Sequence, residues 1–492
     1  MLIPKTRQKV FPIRLSDFTG GEAAIFPTLS TPPRYSMLLQ NCHISDNGGI
    51  VRIPGYTRVN SASCGVELRT GHEFVKTDGT KVILAAGGGK IFKVNGVTLT
   101  EVKTGLNTTE KVRFMTMKNT VFAFNGVDAP IKSTDGTTWV AAGAGIPATT
   151  FMGLVHKGRA WYISRANKLL ANHTALNDPE TAEGYIDFQY VLKKGDELLD
   201  MITFIDLHIF VFRNHIAIYS GTTPSGTGSN YALVQLIEGS GAVSSDVTLG
   251  TGSDCAILYD SGIISLKQVV STGSLNVDSI SKLIAPTIRA ALNNASTFAC
   301  AHYPKKGWIL FLINTTVYIY SYTWKAWARM VGADVKGMFT TIDGTLYLCG
   351  TNYLYQYGIA DTWTFDGTNS QMIWQTGWIP LSKDGFRVYP RIMEIVVYPH
   401  TVLSIDLQYK YDMELSPGFQ YTTINVSPQN VTYIDAAANF DAISPFDEIQ
   451  YKQQKTSLFG GGRSMQLIFT NTSNQPVEIS DIVLLAMKGN FN

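Results

Sequence analysis

WILFLINTTVYIYSYTWKAWARM, residues 308–330, decides the fold of this chain. Two apolar, aromatic-rich runs flank Asn314, Thr315 and Thr316, and Trp324 and Trp327 close the stretch. β-Branched and aromatic residues on both sides of a short polar break are the signature of a β-hairpin. The pattern returns in KVILAAGGGKIFKVNG (81–96), VFAFNGVDAPIKST (121–134), RAWYISRANKLLANH (159–173), LHIFVFRNHIAIYSG (207–221), DCAILYDSGIISLKQ (254–268) and GTLYLCGTNYLYQYG (344–358). The centres lie near Ile83, Phe122, Trp161, Phe210, Leu258, Leu310 and Tyr347. That spacing matches the roughly 40–50 residues of a four-stranded propeller blade. The sequence therefore predicts an all-β chain with a β-propeller of about six to seven blades. Each hairpin is expected in the middle of a blade, its apolar faces stacked on the neighbouring blades. A chain of unrelated hairpins, as in several sandwiches, is the alternative, and one blade can be split between distant segments to close the ring.

Three segments depart from the repeat. The first 35 residues carry Pro4, Pro12, Pro27, Pro32 and Pro33, a composition suited to an extended arm. The propeller is expected over 36–370. Within it, NVDSISKLIAPTIRAALNNAS (276–296) sets Ile280, Leu283, Ile284, Ile288 and Leu292 at helical spacing. This predicts an inserted helix near 277–295, capped by Asp278 and bent or divided at Pro286. From 371 onward, RIMEIVVYPHTVLSIDLQYKYDMEL (391–415) and RSMQLIFTNTSNQPVEISDIVLLAMK (463–488) alternate without the blade spacing. They predict a C-terminal β-sandwich over 371–492, with Pro417, Pro428, Pro445 and FGGGR (459–463) in the loops between them.

Composition narrows the function classes. The chain has 492 residues, enough for more than one core, and 45% of them are hydrophobic. Only 16% are charged, and the net charge is +2. A protein that grips nucleic acid shows a basic excess or patch. Here the only cluster is Lys5, Arg7, Lys9 and Arg14, so stable sequence-specific DNA binding is not expected. Cys42, Cys64, Cys255, Cys300 and Cys349 are odd in number and without a CxxC pair, so neither a disulfide framework nor a zinc site is expected. No signal-peptide pattern opens the chain, and no run reaches the roughly 20 apolar residues of a membrane helix.

Catalytic signatures are equally scarce. GGGK (87–90) is followed by a strand rather than a helix, so it reads as a turn and not a phosphate loop. STDGTTW (133–139) is similar to the Asp-box of sialidases and related propellers, one residue short before the glycine. That box braces a blade and speaks for fold alone. His208 and His215 lie on opposite arms of one expected hairpin and could approach each other, while His43, His72, His156, His173, His302 and His400 show no zinc spacing. No GxSxG elbow is present. No enzyme, cofactor or metal is expected.

One stretch carries a resemblance. YSMLLQNCHISDNGGIVRIPGYTRVN (35–60) runs from an Asn-containing strand into Gly-Gly-Ile-Val-Arg-x-Pro-Gly-Tyr. It resembles the entry to the tail nozzle, or tail hub, proteins of short-tailed bacteriophages, also described as packaged-DNA stabilization or tail tubular B-type proteins. Gly49, Arg52, Pro54 and Gly55 match, while Ile53 separates the arginine from the proline. Residues 158–188 and 196–221 resemble successive blades of that family. The resemblance implies a structural virion protein made in the bacterial cytoplasm and built into the tail. There it forms a six-fold ring that extends the channel below the portal adaptor. Its implied partners are further copies of itself, the portal adaptor ring, tail spikes or fibres, a distal plug or needle, and genomic DNA passing without sequence-specific binding. Near-zero net charge suits such a conduit, because a basic lumen would retard the duplex. Lys5, Arg7, Lys9, Phe11, Arg14 and Arg52 are the candidate assembly contacts. The competing reading is a carbohydrate-binding or glycan-cleaving propeller, motivated by STDGTTW and eight tryptophans. An intracellular scaffold of the WD type lacks its Gly-His and Trp-Asp signature.

Overall fold

The computed structural model describes residues 10–26, 31–192, 195–252, 254–268, 275–382, 386–399, 403–412, 420–426 and 452–488. Pro4, Pro27, Pro417, Pro428 and Pro445 lie outside them, as do Lys5, Arg7 and Lys9. The chain forms two compact units. One comprises 56–319 and 332–360; the other gathers 1–55, 320–331 and 361–492. Among the described residues, no helix is long and apolar enough to cross a membrane.

The first of these units is a seven-bladed β-propeller. Blades 1 to 5 are consecutive four-stranded antiparallel sheets that begin at Thr70–Val75, Arg113–Met117, Thr150–His156, Leu198–Phe204 and Thr248–Gly250. Blade 6 runs through Phe298–Tyr303, Trp308–Ile313 and Thr316–Ser321. Blade 7 holds Gly337–Thr340, Leu346–Cys349 and Leu354–Tyr357, and its fourth strand is Tyr56–Arg58 from the start of the unit. Tyr355, Gln356 and Tyr357 pair there with Arg58, Thr57 and Tyr56. First strands of neighbouring blades touch in cyclic order, blade 7 meeting blade 1, so the ring is closed.

The repeat that gave the fold away falls on the second strand of each blade. Arg159–Ser164 and Trp308–Ile313 are buried at every position. Such a strand is covered by a blade on either side, so it needs apolar residues on both faces. Burying each large side chain contributes roughly 1.5–3 kcal/mol. The outer strands face solvent, and Ala232–Glu238 is correspondingly exposed. GGGK is the turn between Lys81–Gly87 and Lys90–Asn95, with Gly88 and Gly89 at positive φ.

The inserted helix is shorter than the periodicity suggests. Leu275–Ser279 is the fourth strand of blade 5, a 3-10 turn follows at Lys282–Ile284, and the α-helix spans only Ala285–Leu292. Asp278 lies in the strand and caps nothing; the helix has no side-chain cap. Pro286 sits in the first turn, where its missing N–H costs nothing, so it starts the helix rather than bending it.

The second unit is a β-sandwich built from three parts of the chain. One sheet has the order Cys42–Ile44, Ile50–Arg52, Val477–Lys488, Val388–Pro399 and Lys452–Ser457, with Val10–Leu15 also paired to Val477–Lys488. The facing sheet runs Ala326–Val331, Tyr35–Gln40, Met372–Thr376, Ser464–Asn471, Leu403–Tyr411 and Gln420–Val426. Their shared core includes Leu39, Trp374, Met393, Ile395, Leu407, Leu467, Phe469, Ile482 and Leu484. The described strand of the expected arm over 1–35 and the described strands of the expected sandwich over 371–492 therefore share one body. Val10–Leu15 pairs residue for residue with Ile482–Met487. Phe11, Ile13 and Leu15 alternate inward onto the core, and Pro12 takes an outward position on the strand.

Candidate functional site

A propeller axis is the place where loops and first strands from all blades converge, and ligand sites form where elements converge in this way. Here the axis holds a charged cluster. Arg113 opens the first strand of blade 2, and Asp246 lies just before the first strand of blade 5. These blades are not neighbours, so the pair reaches across the ring. The Arg113 Nε donates to Asp246 Oδ1 at 2.9 Å, and Nη2 donates to Oδ2 at 2.7 Å and to the Ser245 hydroxyl at 2.7 Å. Lys111 adds a second cation 3.5 Å from Asp246.

The electrostatics are those of a fixed bolt. Burial pushes the Asp246 carboxyl up, but the charges of Arg113 and Lys111 outweigh it and hold the group at about 2. Asp200, in the first strand of blade 4, is buried nearby; desolvation and then the charge on Asp246 push it well above the usual carboxylate range. Two acids with pKa values pushed apart can mark acid–base machinery. Here, however, both oxygens of Asp246 are engaged by Arg113, and Asp200 Oδ1 accepts from the Met201 backbone at 2.8 Å. The arrangement restrains blades; it presents no aligned nucleophile and base. At the same end of the first strands, Lys336 reaches Glu67 at 3.9 Å, Glu67 accepts from Arg69 at 2.8 Å, and Glu110 pairs with Arg165. Ion pairs thus cross from blade 7 to blade 1 and from blade 2 to blade 3.

A recess of about 190 Å³ in blade 2, lined by Val112, Phe124, Asn125 and Asp128 among others, falls below the roughly 300 Å³ of a typical ligand pocket. STDGTTW is a braced turn: the Asp135 carboxylate accepts from the backbone N–H of Thr137 and Thr138, each at 2.7 Å, and from the Ser133 hydroxyl at 2.9 Å. His208 and His215 do not meet. His208 pairs across the hairpin with Tyr219, while His215 bonds Asp196 at 2.6 Å. They occupy opposite ends of antiparallel strands, so the hairpin register keeps them apart. Burial pushes the thiols of Cys42, Cys255, Cys300 and Cys349 up, away from the thiolate form that reactive cysteines present. Among the described residues, no three His, Cys, Asp or Glu side chains converge as a metal ion would require.

The candidate assembly residues separate sharply. Arg14 is exposed on the outward side of Val10–Leu15, and Phe11 packs against the sandwich core. Arg52 is fully buried and cannot touch a partner. Its Nη1 donates to Asn471 Oδ1 at 2.9 Å and to the Ser473 carbonyl, and its Nη2 donates to Ser370 Oγ at 2.9 Å and to the Ser370 carbonyl. The matching stretch also contains Asn41, held at positive φ, whose Nδ2 donates to the carbonyls of Val331 at 3.1 Å and Gln371 at 2.8 Å. Glu22 completes the staple by pairing with Arg329, while its carboxylate also accepts from the Leu39 N–H at 3.3 Å. Neither Asn41 nor Glu22 stands out in the sequence, because their partners lie some 300 residues away.

Together these features define a closed propeller with an ion-paired axis, and a sandwich stitched from both ends of the chain. No protein-family model matches the sequence, and no curated protein is significantly similar to it. Among solved structures the chain is similar to YCF48 from Cyanidioschyzon merolae, at 10% identity over 62% of this chain and 98% of that one, with a TM-score of 0.42. It is also similar to BamB from Moraxella catarrhalis, at 9% identity over 68% and 98%, with a TM-score of 0.39. The extracellular domain of BT4673 from B. thetaiotaomicron matches at 11% identity over 68% of this chain and 43% of that one, with a TM-score of 0.47. Likeness at this level says nothing of activity, and the propeller rests on its own strand order.

Proposed function

We propose that the protein is a structural subunit of the tail of a short-tailed bacteriophage, the nozzle ring below the portal adaptor, and that it acts without catalysis. The observation that carries this reading is the place of the matching stretch 35–60. Its Asn41 and Arg52 tie the N-terminal strands to 331, 370–371 and 471–473, stitching the sandwich together. A unit closed in this way resists being pulled apart from either end of the chain, as a part of a pressurised conduit must. The ion-paired propeller axis also fits, since DNA would then pass between subunits rather than through one. Sparse charge supports broad contacts between copies, because charged residues are depleted in interface cores. A ring of identical subunits needs heterologous contacts repeated by rotation. In this reading Arg14 is the described arm residue that remains free to reach the adaptor, a spike or a plug.

The test is negative-stain imaging with mass measurement, on the protein alone and mixed with tail complexes that lack it. The expected result is a six-fold ring, formed alone or on the tail, with a hole wide enough for duplex DNA. A protein that neither closes into a ring nor joins a tail, and that binds sugars on a glycan array, overturns the reading in favour of the carbohydrate-binding alternative.

A further inference from the structure

The contact between blades 3 and 4 is unlike the others in its chemistry. His156 ends the first strand of blade 3 and stacks on His208 of blade 4, with ring centroids 4.6 Å apart and 23° between planes. Trp161 of blade 3 meets the same His208 edge-on at 4.8 Å and packs against His173 at 5.0 Å and Tyr231 at 5.2 Å. The His156 Nδ1 bonds the Thr203 hydroxyl across the seam at 3.0 Å, and the His208 Nδ1 bonds the Tyr231 hydroxyl at 2.7 Å. Beyond these, the Nε2 atoms of His156 and His208, both ring nitrogens of His173 and the indole nitrogen of Trp161 are buried without a hydrogen-bond partner.

We propose that this seam is an acid-sensitive latch, in which the uncharged imidazoles of His156, His173 and His208, the last two packed on Trp161, hold blades 3 and 4 together and proton uptake by them opens that contact first. A neutral imidazole tolerates a buried bare nitrogen. At His156 and His208 an imidazolium places an N–H at Nε2 with no acceptor, and two stacked imidazoliums repel. Neighbouring charges do not compensate. At His156 the opposing charge of Lys157 outweighs the favouring charge of Asp206, with which Lys157 pairs at 3.7 Å. Arg159 opposes charging of His173 and already binds Glu183, whose carboxylate lies 3.7 Å from His173 Nδ1. Tyr219 and Tyr231, stacked 5.3 Å apart, bring no charge to His208.

Burial first, and these cations second, hold His156 and His173 at about 4, and burial with His156 holds His208 well below the usual histidine value. The folded values lie below the unfolded one. Stability is therefore full above the unfolded value of about 6.5 and is lost as pH falls from there toward 4. At pH 5 each such imidazole shifts the opening equilibrium by roughly 30-fold. The blade 1–2 seam holds one histidine, His72, which is half-buried and likewise held at about 4 by burial, but its Nε2 is satisfied by Thr116 at 2.7 Å.

Hydrogen exchange of the full chain at pH 7.5 and pH 5, corrected for intrinsic rates, tests the latch. Peptides covering 150–164 and 198–212 should lose at least 10-fold more protection than those covering 70–95. The H156F/H208F variant, which keeps a ring stack, should abolish most of this difference, and H72Q should leave it intact. Uniform loss over all blades in the wild type overturns the proposal without any variant, as does an unchanged acid response in H156F/H208F. This outcome does not depend on whether the protein forms a tail ring.

Discussion

Replacing Arg52 tests whether the matching stretch is a staple or a contact surface. Burial holds its guanidinium below the usual arginine value, at about 10, so it is charged at neutral pH. R52A removes the donors to two carbonyls, Ser370 and Ser473, and to the Asn471 and Ser370 side chains. A buried acceptor left without its partner costs about 1–3 kcal/mol, and removing the buried charge offsets part of the total. The net loss should be about 2–4 kcal/mol. For a unit of roughly 200 residues, each kcal/mol moves Tm by about 2–4 °C, so the sandwich transition should fall by about 4–16 °C. Differential scanning calorimetry reads this directly, with the propeller transition as an internal control. R52K keeps the charge but loses the two-nitrogen fork, and its loss should be intermediate. The reasoning is refuted if R52A melts within about 2 °C of wild type yet fails to join tail complexes, for Arg52 would then be a partner contact.

Three further perturbations address the propeller. R113M leaves Asp246 buried with Lys111 as its remaining cation and without the guanidinium fork, and should cost about 2–4 kcal/mol in urea unfolding. The pH response should weaken as well. In the wild type, Asp246 titrates lower when folded than when unfolded, so its contribution of about 2–3 kcal/mol is present above pH 5 and lost as pH falls toward 2. In R113M only Lys111 opposes burial, so the folded value rises, and acidification between pH 5 and 3 should cost the variant less stability than wild type. G337A tests ring closure: a Cβ there would overlap the backbone carbonyl oxygen of Arg69, where blade 7 meets blade 1. It should destabilise the propeller by about 1–3 kcal/mol while leaving the sandwich transition in place. D135A removes the acceptor of the blade 2 turn and should lower the urea midpoint by about 1 kcal/mol equivalent, with no change in ring formation.

What the sequence showed, it showed where local composition answers to local burial. Trp308–Ile313 must be apolar on both faces because blades flank it, and a run of that kind is visible without any partner in view. Tyr56–Arg58 closes blade 7 with three residues, too few to show a period, so the closing strand could be anticipated in principle but not located. The arm and the sandwich look separate in the sequence because Val10–Leu15 is proline-marked and short, and only its pairing with Ile482–Met487 shows that its alternation faces a core. The helix was overextended because Ile280, Leu283 and Ile284 keep helical spacing while 275–279 answers to a neighbouring strand. Tertiary pairing overrode the local pattern there.

The axial and stapling residues were illegible for a related reason, and it bears on what they do. Arg113 and Asp246 are 133 residues apart, and Arg52 and Asn471 are 419 apart, so nothing local marks either pair. Yet these are the contacts that an apolar core cannot supply. Hydrophobic stacking is non-directional, and seven blades with similar apolar faces do not by themselves specify which blade lies opposite which. A forked guanidinium on one carboxylate has a fixed geometry and a high cost when misplaced, so Arg113 favours the arrangement with blade 5 across the axis. Arg52 does the same for a sandwich whose strands come from both ends of the chain. With charged residues at only 16%, burying several of them at points of convergence is a substantial commitment. It is best understood as selecting one closed arrangement of interchangeable parts.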